Sequence, residues 1–160
     1  DDEKHRQNFH NTLTRLLELK TIPIINENDS VATEEFFIGE NDTLAVMVSI
    51  NINADMVILL TDIDGLYTAD PRKDETASLI PVVEEITPEI MDLAGGTGSS
   101  FGTGGMATKL KAAKMAMEYG CNMVIANGSH PELLYDIVEG KAVGTRFIPK
   151  TSGGAEYDNA

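Results

Sequence analysis

Apolar side chains at Phe9, Leu13, Leu16 and Leu17 repeat at helical spacing between polar neighbours, predicting an amphipathic helix over residues 2–19 with acids in its first turn. Ile22-Pro23-Ile24-Ile25 is a short apolar run that reads as a strand opening near its proline, and Asn26-Glu27-Asn28-Asp29-Ser30 follows it as an uninterrupted polar stretch. A short strand is expected over residues 35–38, and a helix over 42–52 buried through Leu44, Ala45, Val48 and Ile52. Residues 56–60 are continuously apolar, as in a strand covered on both faces.

The second half continues the alternation. Asp64-Gly65 and Asp70-Pro71 are turn signals, residues 79–83 read as a strand, and Thr87-Pro88-Glu89 as the cap of a short helix reaching about residue 93. Glycines at 95, 96, 98, 102, 104 and 105 precede an alanine-rich helix over residues 106–119, closed by Gly120. A buried strand over 123–126, a helix over 132–139 and a strand over 145–148 complete the pattern, with a polar tail over 150–160. Strands alternating with helices predict an α/β domain with a largely parallel sheet, without internal repeat or second domain.

Composition narrows the class. With 42% apolar and 24% charged residues among 160, the chain can bury a core. No apolar run approaches the roughly eighteen residues of a membrane span. The single cysteine, Cys121, excludes an internal disulfide framework and a cysteine-built metal site, pointing to the cytoplasm. A net charge of −14 and the lack of a basic stripe argue against nucleic-acid binding. The chain opens Asp1-Asp2-Glu3-Lys4 straight into a helical pattern, which reads as a piece whose N-terminal portion lies upstream.

Polar residues follow three apolar strands: residues 26–29 after Ile25, Thr61-Asp62 after Leu60, and Asn127-Gly128 after Ala126. Ligands of open α/β sheets bind at such carboxyl ends, although each cluster alone also suits an ordinary loop. In Gly102-Thr103-Gly104-Gly105-Met106-Ala107-Thr108-Lys109, glycines would let backbone amides approach phosphate while the helix adds its positive end; the alternative is a mobile loop with solvated lysines. The Walker spacing is absent, and the loose dinucleotide match of Gly102, Gly104 and Ala107 lacks its preceding strand. Asn28-Asp29 and Asn41-Asp42 could grip an α-amino and α-carboxylate group, or serve as turn and cap residues, with Asp42 as an N-cap. His5, His10 and His130 have no partners at ligand spacing and are expected at the surface, while Met106, Met115, Met117 and Met123 are expected in the core.

Ile25-Asn26-Glu27-Asn28-Asp29-Ser30-Val31, Gly39-Glu40-Asn41-Asp42, the segment from Leu60-Thr61-Asp62 through Asp64-Gly65-Leu66-Tyr67 to Asp70-Pro71-Arg72, and the glycine-rich peptide ending at Lys109 together resemble the glutamate 5-kinases of the amino acid kinase family, in order and spacing over residues 22–149. The resemblance implies a three-layer α/β/α sandwich, residues 1–149 being the C-terminal, nucleotide-binding part of the kinase domain. It also implies ATP-dependent phosphorylation of the L-glutamate γ-carboxylate in proline biosynthesis. Asp29 and Asn41 would bind glutamate. Thr61, Asp62, Thr103, Gly104, Gly105, Met106, Ala107, Thr108 and Lys109 would bind ATP. Asp42 would organise the catalytic lysines, and Lys109 would stabilise the transferred phosphoryl group. Mg²⁺ would be held mainly through the nucleotide phosphates, proline would be a feedback inhibitor, and the enzyme would be a homo-oligomer (dimer or tetramer) without nucleic-acid or membrane partners. The family's first strand, catalytic lysine and phosphate loop would lie upstream of Asp1, so this chain alone is expected to be a poor kinase. The alternatives are another amino acid kinase, acting on aspartate or acetylglutamate, and a non-catalytic ligand-binding module.

Overall fold

The computed structural model describes residues 2–26, 41–94 and 105–150. Helix α1 (Asp2–Glu18) precedes α2 (Asn41–Asn51) and strand β1 (Met56–Thr61); β2 (Val82–Val83), α3 (Pro88–Leu93) and α4 (Gly105–Glu118) follow, then β3 (Asn122–Asn127), α5 (Leu133–Val138) and β4 (Thr145–Phe147). The strands form one sheet in the order β1-β3-β4-β2. β1 runs parallel to β3 from Met56↔Asn122 to Thr61↔Asn127, and β2 runs parallel to β4, but β3 and β4 are antiparallel.

Burial explains the layering. Val57, Leu59, Met123 and Ile125 point to one face, where they join Val46 of α2 and Leu110, Ala112, Ala113 and Ala116 of α4. Val124 and Ala126 point to the other, meeting Ile137 of α5 beside Met56, Ile58 and Val143. Successive strand residues alternate between faces, and both faces are covered, so β1 and β3 read as continuous apolar runs. The result is a three-layer α/β/α arrangement with a mixed, mainly parallel sheet. Met106 and Met123 are buried and Met115 and Met117 pack against the same cluster, as the sequence suggested.

Local chemistry sets the boundaries. The Thr87 hydroxyl accepts from the Ile90 N–H at 3.4 Å with Pro88 in the first turn, capping α3. Gly120 ends α4 with φ +75°. Gly144, at φ +65°, leads into β4 so closely under β3 that a Cβ there would sit 2.0 Å from the Ile125 carbonyl oxygen. Thr145, fully buried, accepts from the Leu66 N–H at 2.8 Å and donates to the Ile80 carbonyl at 2.7 Å, clasping three segments.

Three expectations need correction. Residues 22–25 form no strand; Ile22 is 89% and Ile24 97% exposed, because no described segment offers them a ladder and Pro23 lacks a donor. The strand expected over 79–83 is split at Pro81: Leu79 bridges Tyr67, and only Val82–Val83 joins the sheet. His10 is half-buried rather than free at the surface, its Nδ1 2.6 Å from the Asn51 carbonyl, so Nδ1 carries the proton. The strand expected over 35–38 and the tail over 151–160 lie outside the described residues.

Candidate functional site

Thr61 and Asn127, paired across the sheet, close β1 and β3 at the same end. Helices α2 and α4 begin above that end and pack against each other through side chains as small as Ala112, Ala113 and Ala116, which lets them approach closely. Their first turns bring Asp42 and Lys109 together: Lys109 Nζ donates to Asp42 Oδ2 at 3.0 Å, with the side chains only 15% and 21% exposed. Thr108 Oγ1 lies 3.3 Å from the same oxygen and 2.9 Å from the Gly105 carbonyl, so one proton is shared between two acceptors. α2 starts at Asn41, which places Asp42 within the first turn instead of at the cap. A carboxylate there is favoured by the helix dipole, whereas Lys109 near the start of α4 opposes it and is offset by Asp42.

A cavity of about 440 Å³ opens between the end of β1, the 66–80 segment and the start of α4. Thr61, Asp62, Tyr67, Arg72, Gly105 and Lys109 line it, with Ile63, Asp70, Pro71 and Met106. Its wall is braced by hydrogen bonds. Thr68 N donates to Ser78 O, Ile80 N to Leu66 O, and Ser78 N to Thr68 Oγ1. At the tip, Lys73 N and Asp74 N both donate to the Asp70 carbonyl. The Asp70 carboxylate, 6% exposed, receives the Arg72 amide at 3.0 Å, Nε at 3.1 Å and Nη2 at 3.4 Å. The Arg72 guanidinium thereby holds Asp70 below the usual carboxylate range and is itself held charged more firmly. Beside it, Asp64 accepts from Asn127 Nδ2 at 2.9 Å and from the Tyr67 hydroxyl at 3.0 Å, which pulls its pKa below the ordinary value. Burial and the Asp64 carboxylate raise the Tyr67 phenol. A second hollow of about 330 Å³, lined by Ser49, Asp55, Tyr119 and Cys121, lies at the other end of β1 and β3 and contains none of the candidate binding or catalytic residues.

Of the sequence-derived candidates, Thr61, Asp62, Gly105, Met106 and Lys109 line one cavity, and Asp42 and Thr108 are bonded at its edge. Ala107 packs partly buried against the core beneath it. Asn41 is exposed at the start of α2 and does not line the cavity. Asp29, Thr103 and Gly104 lie outside the described residues. Tyr67, Asp70 and Arg72 stood out in the sequence only as part of the peptide that carries the family resemblance, with no site role given to them; the arginine two residues after the aspartate was the available clue. Among the described residues no group of three His, Cys, Asp or Glu side chains converges as a metal cage. Asp62, whose carboxylate accepts from the neighbouring Thr61 hydroxyl at 3.1 Å, stands on the cavity wall.

Residues 1–127 match the model of the amino acid kinase family. The chain is 53% identical over 146 residues to a glutamate 5-kinase of Clostridium tetani, covering 91% of this chain and 55% of that protein. It is 48% identical over 154 residues to one of Clostridium perfringens, covering 94% and 57%. The chain thus spans about half the length of the curated relatives it matches. Among solved structures, the UMP kinase of Bacillus anthracis superposes with a TM-score of 0.62 over 87% of this chain and 50% of that one, at 18% identity. That likeness concerns the fold alone. No helix among the described residues is long and apolar enough to cross a membrane.

Proposed function

This chain belongs to the amino acid kinase family, and from that premise we propose that it carries the nucleotide side of an ATP-dependent glutamate 5-kinase, which phosphorylates the γ-carboxylate of L-glutamate in proline biosynthesis. The observation that carries the reading is the Asp42–Lys109 pair, four-fifths buried, at the rim of the cavity lined by Thr61, Asp62 and Gly105. The kinship with glutamate 5-kinases over nine-tenths of the chain supports glutamate as acceptor.

The chemistry asks little of general bases. A γ-carboxylate with a pKa of about 4.3 is already ionised at neutral pH. One of its oxygens attacks the γ-phosphorus of ATP while the bond to the β–γ bridging oxygen breaks, and ADP departs with that electron pair. The protein's task is to hold the reactants in line and neutralise spreading charge. In this reading Lys109 supplies the ammonium for the transferred group. Asp42 fixes the direction of that ammonium and keeps it from drifting. The backbone N–H groups of the first turn of α4 would serve as further donors to the phosphates. A Mg²⁺ arriving on the phosphates would meet Asp62 and supply further neutralisation. Such local cations answer the overall charge of −14, which would otherwise repel a polyphosphate. Asp29 and Asn41 are assigned to glutamate. From the same kinship we infer a cytoplasmic homo-oligomer subject to feedback by proline.

The test is ATP-dependent hydroxamate formation by the intact protein with glutamate, aspartate and acetylglutamate in parallel. Selective γ-glutamyl hydroxamate is expected. Preference for either other acceptor, or nucleotide binding without turnover, would refute the assignment.

A further inference from the structure

We propose that the hollow of about 330 Å³ at the other end of β1 and β3 binds a small organic ammonium ion, at a site separate from the nucleotide cavity. It forms where two helices stop. Ser49 and Ile50 belong to the last turn of α2, while Tyr119 and Gly120 directly follow α4. The negative ends of both helix dipoles therefore meet at one place, and neither helix has a basic side chain in its last turn to offset them. His10 caps the Asn51 carbonyl from α1 and is not among the lining residues.

Asp55 adds a full negative charge, and no cation pairs with its carboxylate among the described residues. The amides of the two turns are spent inward. Asn53 N donates to Ile50 O, Ala54 N to Ser49 O, Gly120 N to Met117 O and Cys121 N to Ala116 O, while Asn122 N and Nδ2 both donate to Asp55 O. The Ser49 hydroxyl goes to the Val46 carbonyl at 2.7 Å and the Cys121 thiol to the Ala54 carbonyl at 3.3 Å. The wall thus offers a visitor mainly acceptors and a negative potential, which draws in a cation. The remaining lining sets its class. Among the described residues no three His, Cys, Asp or Glu side chains gather, so a bare metal ion lacks a ligand set. Tyr119, 59% exposed, offers a ring face to an ammonium, and Ile50 offers apolar surface to its alkyl part. The volume lies at the small end of ligand pockets, which suits a short alkylamine or diamine. Buried Ser49 and Cys121 form the floor, and burial pushes the Cys121 thiol up, so it serves as a slow reporter beneath the ligand.

Calorimetric titration of the intact protein without nucleotide, for wild type, Asp55→Asn and Tyr119→Leu, tests this. The probes are the chlorides of n-butylammonium and putrescine, with sodium and magnesium chloride at matched ionic strength reporting the general pull of a −14 chain. Both amines should bind with millimolar affinity, about tenfold more weakly in Asp55→Asn and about threefold more weakly in Tyr119→Leu. Alkylation of Cys121 by iodoacetamide, followed by mass spectrometry of its peptide, should slow severalfold in the wild type at saturating amine. That second measurement stands even where a variant fails to fold. Equal amine affinity in Asp55→Asn, magnesium displacing the amines as well as they displace each other, or a wild type with neither heat nor Cys121 protection would each overturn the proposal. With no nucleotide present, none of these outcomes touches the kinase reading.

Discussion

Removing the charge from either partner of the Asp42–Lys109 pair should reveal how tightly α2 and α4 are coupled. Two unit charges 3.0 Å apart attract by about 5.5 kcal/mol at an effective dielectric of about 20. Desolvation cancels much of that, since each side chain has left roughly four-fifths of its contact with water. Exposed pairs couple by about 0.2–1 kcal/mol, while breaking a fully buried pair costs about 3–5 kcal/mol. For this partly buried geometry we expect Asp42→Asn to cost about 1.5–3 kcal/mol. The residual charge of Lys109 then faces an amide oxygen, and the Thr108 hydroxyl loses its charged acceptor. A double-mutant cycle of Asp42→Asn and Lys109→Met, read by urea unfolding, should return a coupling energy of about 1–2 kcal/mol, with unchanged m-values. Moderate salt should reduce it only slightly, because the pair is shielded. A coupling below about 0.3 kcal/mol would refute the idea that this contact organises the site.

Other outcomes follow from the same structure. Lys109→Met should lower kcat by about 100-fold or more with little change in KM for glutamate, checked by steady-state kinetics of the intact enzyme. Thr145→Val should destabilise by about 2–4 kcal/mol, because the Leu66 N–H and Ile80 carbonyl lose their buried partner, whereas Thr145→Ser should cost only about 1 kcal/mol; denaturant titration separates them. Asp64 should titrate below 3.8 by carboxylate NMR, and Asn127→Ala should move it upward. Because its folded pKa is the lower one, its contribution to stability is complete above the ordinary carboxylate range and fades as pH falls through the folded value.

The elements easiest to read from the sequence were those whose burial is decided locally. α2, β1, α4 and β3 carry long apolar runs or helical repeats, and their observed limits fall within a residue or so of expectation. Residues 22–25 looked equally strand-like, but an apolar run does not say whether a neighbouring strand will supply hydrogen bonds, and here none of the described ones does. Pro81 escaped notice as a divider because its effect depends on two different partners, Leu66–Tyr67 before it and β4 after it. The reversal between β3 and β4 is likewise a property of pairing, invisible to periodicity. At the site, Asp42 and Lys109 stand 67 residues apart in sequence, and no spacing rule joins them; the family resemblance suggested the pair that the fold then brought together.

Turning β4 against β3 also divides the molecule's rims by task. β1 and β3 deliver their last residues to the rim where the cavity lined by Lys109 opens, while β4 and β2 deliver theirs to the far rim, around residues 84–85 and 148–150. Fluorophores, tethers or fused partners attached along that far rim should therefore leave ligand entry unobstructed, which makes it the natural handle for surface immobilisation.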